Sequence, residues 1–189
     1  MRRGTCCERA PVSHWTVVSH WTVREERPGD EAAIEAVVAT AFANDSDSQG
    51  EEPQIVAALR ADGDLVLSLV AEEDDGIVGH AAFSPAILST GAQGWFVLGP
   101  MSVAPWRQGQ GIGRALVQAG IEHLSAAGAK GIVLVGDPGY HSRFGFSQRW
   151  PLAIIGPLSP YFQVLSLAGE VPRASVAFAP AFARSAGDE

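Results

Sequence analysis

The most informative part of the sequence is residues 98–116, which read Leu98-Gly99-Pro100-Met101-Ser102-Val103-Ala104-Pro105-Trp106-Arg107-Gln108-Gly109-Gln110-Gly111-Ile112-Gly113-Arg114-Ala115-Leu116. An apolar run of the β type stops at Pro105, and a loop with three alternating glycines follows it. From Ile112 to Leu124 the apolar residues fall at helical spacing, and Gly128 ends that pattern. The stretch therefore predicts a strand, a glycine loop and an amphipathic helix in direct succession.

This succession predicts an anion cradle at the start of the helix. Glycines let the backbone turn so that successive N–H groups point inward. The first turn of a helix adds unpaired N–H groups and the positive end of the helix dipole. Arg107 and Arg114 add mobile positive charge. We therefore expect the loop to bind a phosphate or a pyrophosphate.

The glycine spacing narrows the choice of phosphate ligand. A P-loop needs Lys followed by Ser or Thr after its last glycine, whereas Arg114-Ala115 follows Gly113. The dinucleotide pattern GxGxxG needs a glycine at 114, or glycine or alanine at 116, and these residues are Arg and Leu. Asp137 follows the next apolar run and imitates a ribose-binding acid, so a nucleotide-dependent oxidoreductase stays open as an alternative.

The remaining pattern predicts one α/β chain of the α+β type. Asp74-Asp75-Gly76 marks a hairpin, and Gly131–Val135 is a fully apolar run typical of a buried central strand. The order β-α-α-β-β-β-α-β-α-β-β indicates a mostly antiparallel sheet with one crossover through the helix at 111–127. The other predicted elements are strands at 21–24, 65–71, 77–84 and 95–103, helices at 30–43, 51–61 and 138–144, and two or three strands within 152–183.

Composition places the chain among single-domain proteins and excludes some functions. The 189 residues carry a net charge of −8, which argues against a nucleic-acid partner. The two cysteines are adjacent and have no metal-ligand spacing, and neither long uncharged stretch fits a membrane span. We expect a cytoplasmic protein without a metal site, with one domain over residues 18–189. Val12–Val17 repeats as Val18–Val23, so residues 1–17 are expected to be a disordered extension.

Two motifs together resemble the GNAT superfamily of N-acetyltransferases. Gln108-x-x-Gly111-x-Gly113 matches the acyl-CoA signature Q/R-x-x-G-x-G/A of that family. Gly136-Asp137-Pro138-x-Tyr140-x-x-Arg143-Phe144-Gly145-Phe146 looks like the second cofactor motif of a GNAT subgroup. The resemblance covers about residues 18–183. It implies a GNAT-like fold, with a mixed, mostly antiparallel sheet of about 6–7 strands flanked by about 4 helices.

The resemblance also implies an activity and a cofactor site. It implies transfer of the acetyl group of acetyl-CoA to a primary amine, by direct attack in a ternary complex. The pantetheine arm would lie between the diverging strands at 99–103 and 131–135, with a bulge at Gly99-Pro100 and a backbone N–H near Met101 polarising the thioester carbonyl. The implied cofactor-binding residues are Met101, Ser102, Val103, Gln108, Gly109, Gln110, Gly111, Ile112, Gly113 and Arg114.

The proton-transfer residues depart from the family pattern. The usual acid of the family is a Tyr four residues before the Gly of the Gly-Phe pair, where this chain has His141, with Tyr140 one residue earlier. His141 fits the acid by its position in the motif, and Tyr140 fits it by the chemistry of its hydroxyl, so both stay candidates. His80 is the best candidate for the general base, and Glu72 and Glu73 are others.

The acceptor and the partners are less defined. The resemblance implies a small-molecule or peptide amine acceptor, and homodimers are common in the family. A non-catalytic module that binds or senses acyl-CoA on the same fold is the alternative function, because no base is evident and Tyr is missing at 141.

Overall fold

The computed structural model describes residues 21–44, 48–148, 151–154 and 159–184. The predicted N-terminal extension, residues 1–17, lies outside this part of the chain. The proposal of one domain over residues 18–189 therefore stays a prediction.

The described chain forms nine strands and five helices. The strands are β1 (Thr22–Glu25), β2 (Leu67–Glu73), β3 (Gly76–Pro85), β4 (Ile87–Leu88), β5 (Trp95–Val103), β6 (Gly131–Val135), β7 (Leu152–Ile154), β8 (Phe162–Ser166) and β9 (Ala174–Ala177). The helices are α1 (Glu31–Phe42), α2 (Glu52–Asp62), α3 (Ile112–Ala126), α4 (Pro138–His141) and α5 (Ala181–Arg184).

Six strands form the main sheet in the order β1-β2-β3-β5-β6-β8. Every neighbouring pair is antiparallel except β5 and β6, which are parallel and are joined through α3. This confirms the predicted mixed, mostly antiparallel sheet with a single crossover. A parallel pair needs such a long connection, and the amphipathic run after the glycine loop supplies it.

Helices cover both faces of the main sheet. Along β3, alternate side chains point to opposite faces. Gly79 and Phe83 lie against α3, where a Cβ at Gly120 would be 2.0 Å from the Phe83 ring. Ala82, on the other face, belongs to a buried cluster with Ile55 and Leu59 of α2. The core therefore fills two layers, one on each face of the sheet. No described helix is long and apolar enough to cross a membrane.

A second, smaller sheet was not predicted from the sequence. Its strand order is β4-β9-β7, with β7 and β9 parallel. β4 has two residues, which is too short to give a periodic signal. The small sheet encloses its own buried cluster, with Leu88, Leu152 and Val176 among its members.

Candidate functional site

The main sheet opens where β5 and β6 separate. The two strands pair only from Trp95 opposite Gly131 to Val97 opposite Val133. Beyond Val97, β5 continues along β3 alone, and two residues of β5, Gly99 and Pro100, lie opposite the single Ala82 of β3. This is the bulge that the sequence predicts. The divergence leaves a gap in the sheet at the carboxyl ends of the two strands.

The backbone of β5 presents polar groups to this gap. The Ala104 N–H donates to the Val78 carbonyl of β3 at 2.9 Å. Because backbone groups alternate along a strand, the N–H and C=O groups of Met101 and Val103 point the other way, toward the gap. The Val103 carbonyl accepts a hydrogen bond there from the Gln108 side chain at 3.2 Å.

A groove of about 530 Å³ occupies the gap. β5, the glycine loop, the start of α3, the end of α1 and the α4 turn enclose it. Its walls are formed by Ala41, Phe42, Met101, Ser102, Val103, Arg107, Gln108, Gly109, Gly111, Ile112, Gly113, Arg114, Tyr140 and Arg143. Nine of the ten residues predicted to bind the cofactor lie in this wall. The exception is Gln110, which is exposed and donates its side-chain amide to the Trp106 carbonyl at 3.2 Å.

The glycine loop has the backbone that an anion cradle needs. Gly109 and Gly111 have φ values of +74° and +88°, a left-handed region that favours glycine. Gly111 precedes the first helical residue, and its carbonyl accepts the Ala115 N–H at 3.0 Å. The N–H groups of Ile112, Gly113 and Arg114 therefore have no helical acceptor before them and are available to an anion.

Three arginines line the groove. The sequence predicts that Arg107 and Arg114 are mobile charges, but Arg107 is held in an ion pair. The Arg107 guanidinium is bound by the Glu73 carboxylate at 2.7 Å. Arg143 stacks over the Tyr140 ring, with its Cζ 4.7 Å from the ring centroid. Neither Arg114 nor Arg143 forms an ion pair with another described residue. Arg114 and Arg143 are therefore the charges most available to a phosphate.

The structure separates Tyr140 from His141. Tyr140 is half-buried in the groove wall, and its hydroxyl lies 2.7 Å from where a Cβ at Gly113 would stand. Burial raises the pKa of Tyr140, with Arg143 opposing the shift, so the phenol stays protonated at neutral pH.

His141 lies outside the groove wall, packed against Gly136 and Phe146. Its Nδ1 is 3.0 Å from the Asp137 carbonyl, which only accepts, so Nδ1 carries the hydrogen. Burial is the main cause that lowers the pKa of His141. The neutral ring then has a bare Nε2, which accepts a proton but cannot give one.

None of the three predicted base candidates lies in the groove wall. Arg24 binds Glu72 through two hydrogen bonds of 2.7 Å, and Arg107 holds Glu73. His80 is fully buried, and its Nε2 lies 2.9 Å from the Ser68 hydroxyl. Burial, and secondarily the charge of Arg60, lower the pKa of His80 to about 3. Among the described groove residues, none is a carboxylate or a histidine.

Sequence reasoning missed part of the groove. Ala41 and Phe42 come from the end of α1, at least 59 residues before Met101, the first β5 residue of the groove wall, and no local pattern marks them. Arg143 stands in the second motif, but its position over Tyr140 depends on the tertiary fold. The described residues contain no group of three metal-binding side chains.

Known proteins resemble this chain over most of its length. The family described as "Acetyltransferase (GNAT) family" matches residues 21–146. A protein of Escherichia coli K12 described as an uncharacterized N-acetyltransferase, YhbS, is 36% identical over 138 residues, which cover 68% of this chain and 80% of that protein.

Two solved structures share the fold closely. A GNAT family acetyltransferase from Brucella melitensis in complex with acetyl-CoA is 45% identical, with a TM-score of 0.78 over 86% of this chain and 98% of that chain. E. coli YhbS in complex with CoA is 33% identical, with a TM-score of 0.79 over 87% of this chain and 92% of that chain.

Proposed function

Because the chain belongs to the acetyltransferase (GNAT) family, we propose that it transfers the acetyl group of acetyl-CoA to a primary amine in a ternary complex. The observation that carries this proposal is the groove between β5 and β6, which joins a backbone hydrogen-bonding edge to a cradle of free N–H groups. The acceptor is a small-molecule or peptide amine.

The groove residues fit acetyl-CoA as the acetyl donor. The N–H groups at the start of α3, with Arg114 and Arg143, suit the pyrophosphate. The outward backbone groups of Met101 and Val103 suit the amides of the pantetheine arm. A Cβ at Gly113 would project toward the Tyr140 hydroxyl and narrow the groove. The Brucella and YhbS structures contain acetyl-CoA and CoA, which supports the same ligand here.

Tyr140 is the acid of the proposed reaction. Its hydroxyl is in the groove wall and stays protonated, so it can give a proton to the departing thiolate. His141 is outside the wall and its neutral ring is an acceptor at Nε2, so it supports α4 instead. The Met101 N–H, directed toward the groove, polarises the thioester carbonyl.

One observation favours a second function. The groove wall contains no side chain of a general base, which suits a module that binds acyl-CoA without consuming it. Turnover separates the two functions, because a sensor binds acetyl-CoA and releases it unchanged.

The test measures thermal stabilisation by acetyl-CoA, CoA and NAD, followed by CoA release with a panel of amines. Ligand at about 100 times its dissociation constant adds roughly 2.7 kcal/mol to the free energy of unfolding. Gly111→Asp places a negative charge in the cradle and should abolish the shift. Gly91→Asp is the matched control, since Gly91 has φ +74° and lies outside the groove wall.

A shift with acetyl-CoA together with amine-dependent CoA release supports the transferase. A shift without release in any amine supports the sensor. A larger shift with NAD than with either CoA species refutes both and restores the oxidoreductase alternative.

A further inference from the structure

A row of polar side chains crosses the buried layer behind the groove. Glu26 accepts a hydrogen bond from the Ser68 hydroxyl, and the His80 Nε2 is 2.9 Å from the same hydroxyl oxygen. Ser102 lies directly opposite His80 on β5 and is itself in the groove wall. We call these four residues the polar row. It runs from a surface depression lined by Glu26 and Ser68 to the groove.

The donors and acceptors of the polar row can be assigned in only one way. Arg60 binds Glu26 at 2.8 Å, so Glu26 is a carboxylate and only accepts. The single Ser68 hydrogen therefore goes to Glu26, and Ser68 in turn accepts from His80. His80 then carries its hydrogen on Nε2 and has a lone pair on Nδ1.

The groove end of the row contains two polar atoms without partners, on residues that lie directly opposite each other. Nδ1 of His80 and Oγ of Ser102 are both buried, and neither has a hydrogen-bond partner among the described residues. Side chains directly opposite on antiparallel strands have Cβ atoms about 5 Å apart. A rotation of Ser102 about χ1, or one bridging water molecule, joins the two atoms.

Leaving polar atoms without partners in a core costs free energy. The unpartnered atoms of His80 and Ser102 differ from that of Ser84 because they belong to directly opposite residues, one of which lines the groove. The groove wall lacks a base, and the row ends at that wall. Glu26, from the segment after β1, is the charged member of the row, and Arg60 from α2 is the charged side chain beside it.

We propose that His80 takes the proton of the acceptor amine through Ser102, and that Ser68 and Glu26 are positioning residues that fix its tautomer. The inference rests on the proposed transferase function and supplies its missing base.

The step balances without another reactant. At pH 7 the acceptor is an ammonium ion without a free electron pair, so one N–H proton first passes to the Ser102 oxygen while the Ser102 hydroxyl proton passes to His80 Nδ1. The neutral amine nitrogen then bonds to the acetyl carbon as the C–S bond breaks and its electron pair leaves with sulfur. Sulfur takes the Tyr140 proton, the extra proton on the acylated nitrogen passes to the Tyr140 oxygen, and the imidazolium proton returns through Ser102 and the groove to solvent. Ser68 and Glu26 stabilise the brief imidazolium through its Nε2–H.

The test compares Ser68→Ala with Ser84→Ala as a matched control. Ser84 is a fully buried serine of β3 whose hydroxyl also lacks a partner among the described residues, and it lies outside the polar row and the groove wall. We would measure kcat for an alkylamine from pH 7 to the pKa of that amine, together with the thermal shift by acetyl-CoA.

We expect Ser68→Ala to lower kcat about 10- to 100-fold at pH 7 and to leave the acetyl-CoA shift intact. The deficit should shrink by about tenfold per pH unit, because a larger fraction of the amine is then already deprotonated. Ser84→Ala should match the unaltered protein at every pH. Glu26→Gln should show the same pH trend with a smaller loss.

A deficit that is constant with pH, or one shared by Ser84→Ala, overturns the role of the polar row and leaves the transferase standing. If the unaltered protein transfers acetyl to no amine, the proposed function fails and this inference fails with it.

Discussion

Gly113→Ala tests the contact that couples the cradle to the proposed acid. The added Cβ would lie 2.7 Å from the Tyr140 Oη and 3.5 Å from the Val103 Cγ2. Only the first distance is too short, and it involves the far end of a side chain. Tyr140 must therefore move, while the backbone of α3 can stay.

In the protein with Tyr140 intact, the stabilising and destabilising effects of Gly113→Ala on the free energy of unfolding nearly cancel. Replacing a helical glycine by alanine stabilises by up to about 1 kcal/mol. Pushing Tyr140 away from its rotamer costs about 0.5–1.5 kcal/mol. In a Tyr140→Phe background the colliding oxygen is gone, and the remaining ring carbon at 3.8 Å is an ordinary contact. The alanine should then stabilise by nearly its full amount, which predicts a coupling of about 1 kcal/mol.

Urea unfolding of the four proteins in this double-mutant cycle gives the coupling directly. In the unaltered background we also expect Gly113→Ala to reduce acetyl transfer, because the hydroxyl leaves its place in the groove wall. A coupling under about 0.3 kcal/mol would show that the two sites are independent and would refute the packing of Tyr140 against α3.

Three further predictions address the core, the buried histidine and the groove charges. Gly120→Ala should destabilise by about 1–3 kcal/mol in urea unfolding, because its Cβ would stand 2.0 Å from the Phe83 ring; an unchanged midpoint would contradict this packing. The pKa of His80 in the folded protein is about 3, below the ordinary histidine value of 6.5, so its contribution to stability is complete above pH 6.5 and is lost as the pH falls toward 3. The slope should approach roughly 1.4 kcal/mol per pH unit, and His80→Gln should flatten it; an equal slope in both proteins would exclude His80 as its source. Glu73→Gln should free Arg107 and tighten acetyl-CoA more than acetyl-pantetheine, measured by calorimetry, since only the former carries phosphates; equal changes would show that Arg107 does not meet a phosphate.

The main sheet was predictable because its signals are local. The glycine loop followed by a long amphipathic run dictates a crossover, and Gly131–Val135 is apolar on both faces. The small sheet was not predictable, because β4 contributes two residues and pairs with β9 about 88 positions later. Pairing over such a separation depends on the whole fold, and the sequence of a two-residue strand does not indicate which strand it pairs with.

The glycine loop that lines the groove was predictable for the same reason. Backbone N–H groups at a glycine loop need no distant partner, so Gly109, Gly111 and Gly113 were identified from their spacing alone. Proton-transfer groups are different, because burial and neighbours set their protonation. Tyr140 and His141 are adjacent in sequence, yet only one lies in the groove wall.

The role proposed for His80 shows why a base is harder to predict from the sequence than an anion cradle. Among the described residues, the groove wall contains no carboxylate and no histidine, so no such base faces the groove directly. A base that acts through a serine can be buried, where its lowered pKa keeps it neutral and ready to accept a proton at neutral pH. A histidine with such a low pKa is a weak base and holds an added proton only briefly. The proposed step therefore needs the proton to leave His80 within the same turnover. Burial lowers the pKa of His80, so the ring is neutral at pH 7 before each turnover, and the proposed path through Ser102 connects this neutral ring to the groove.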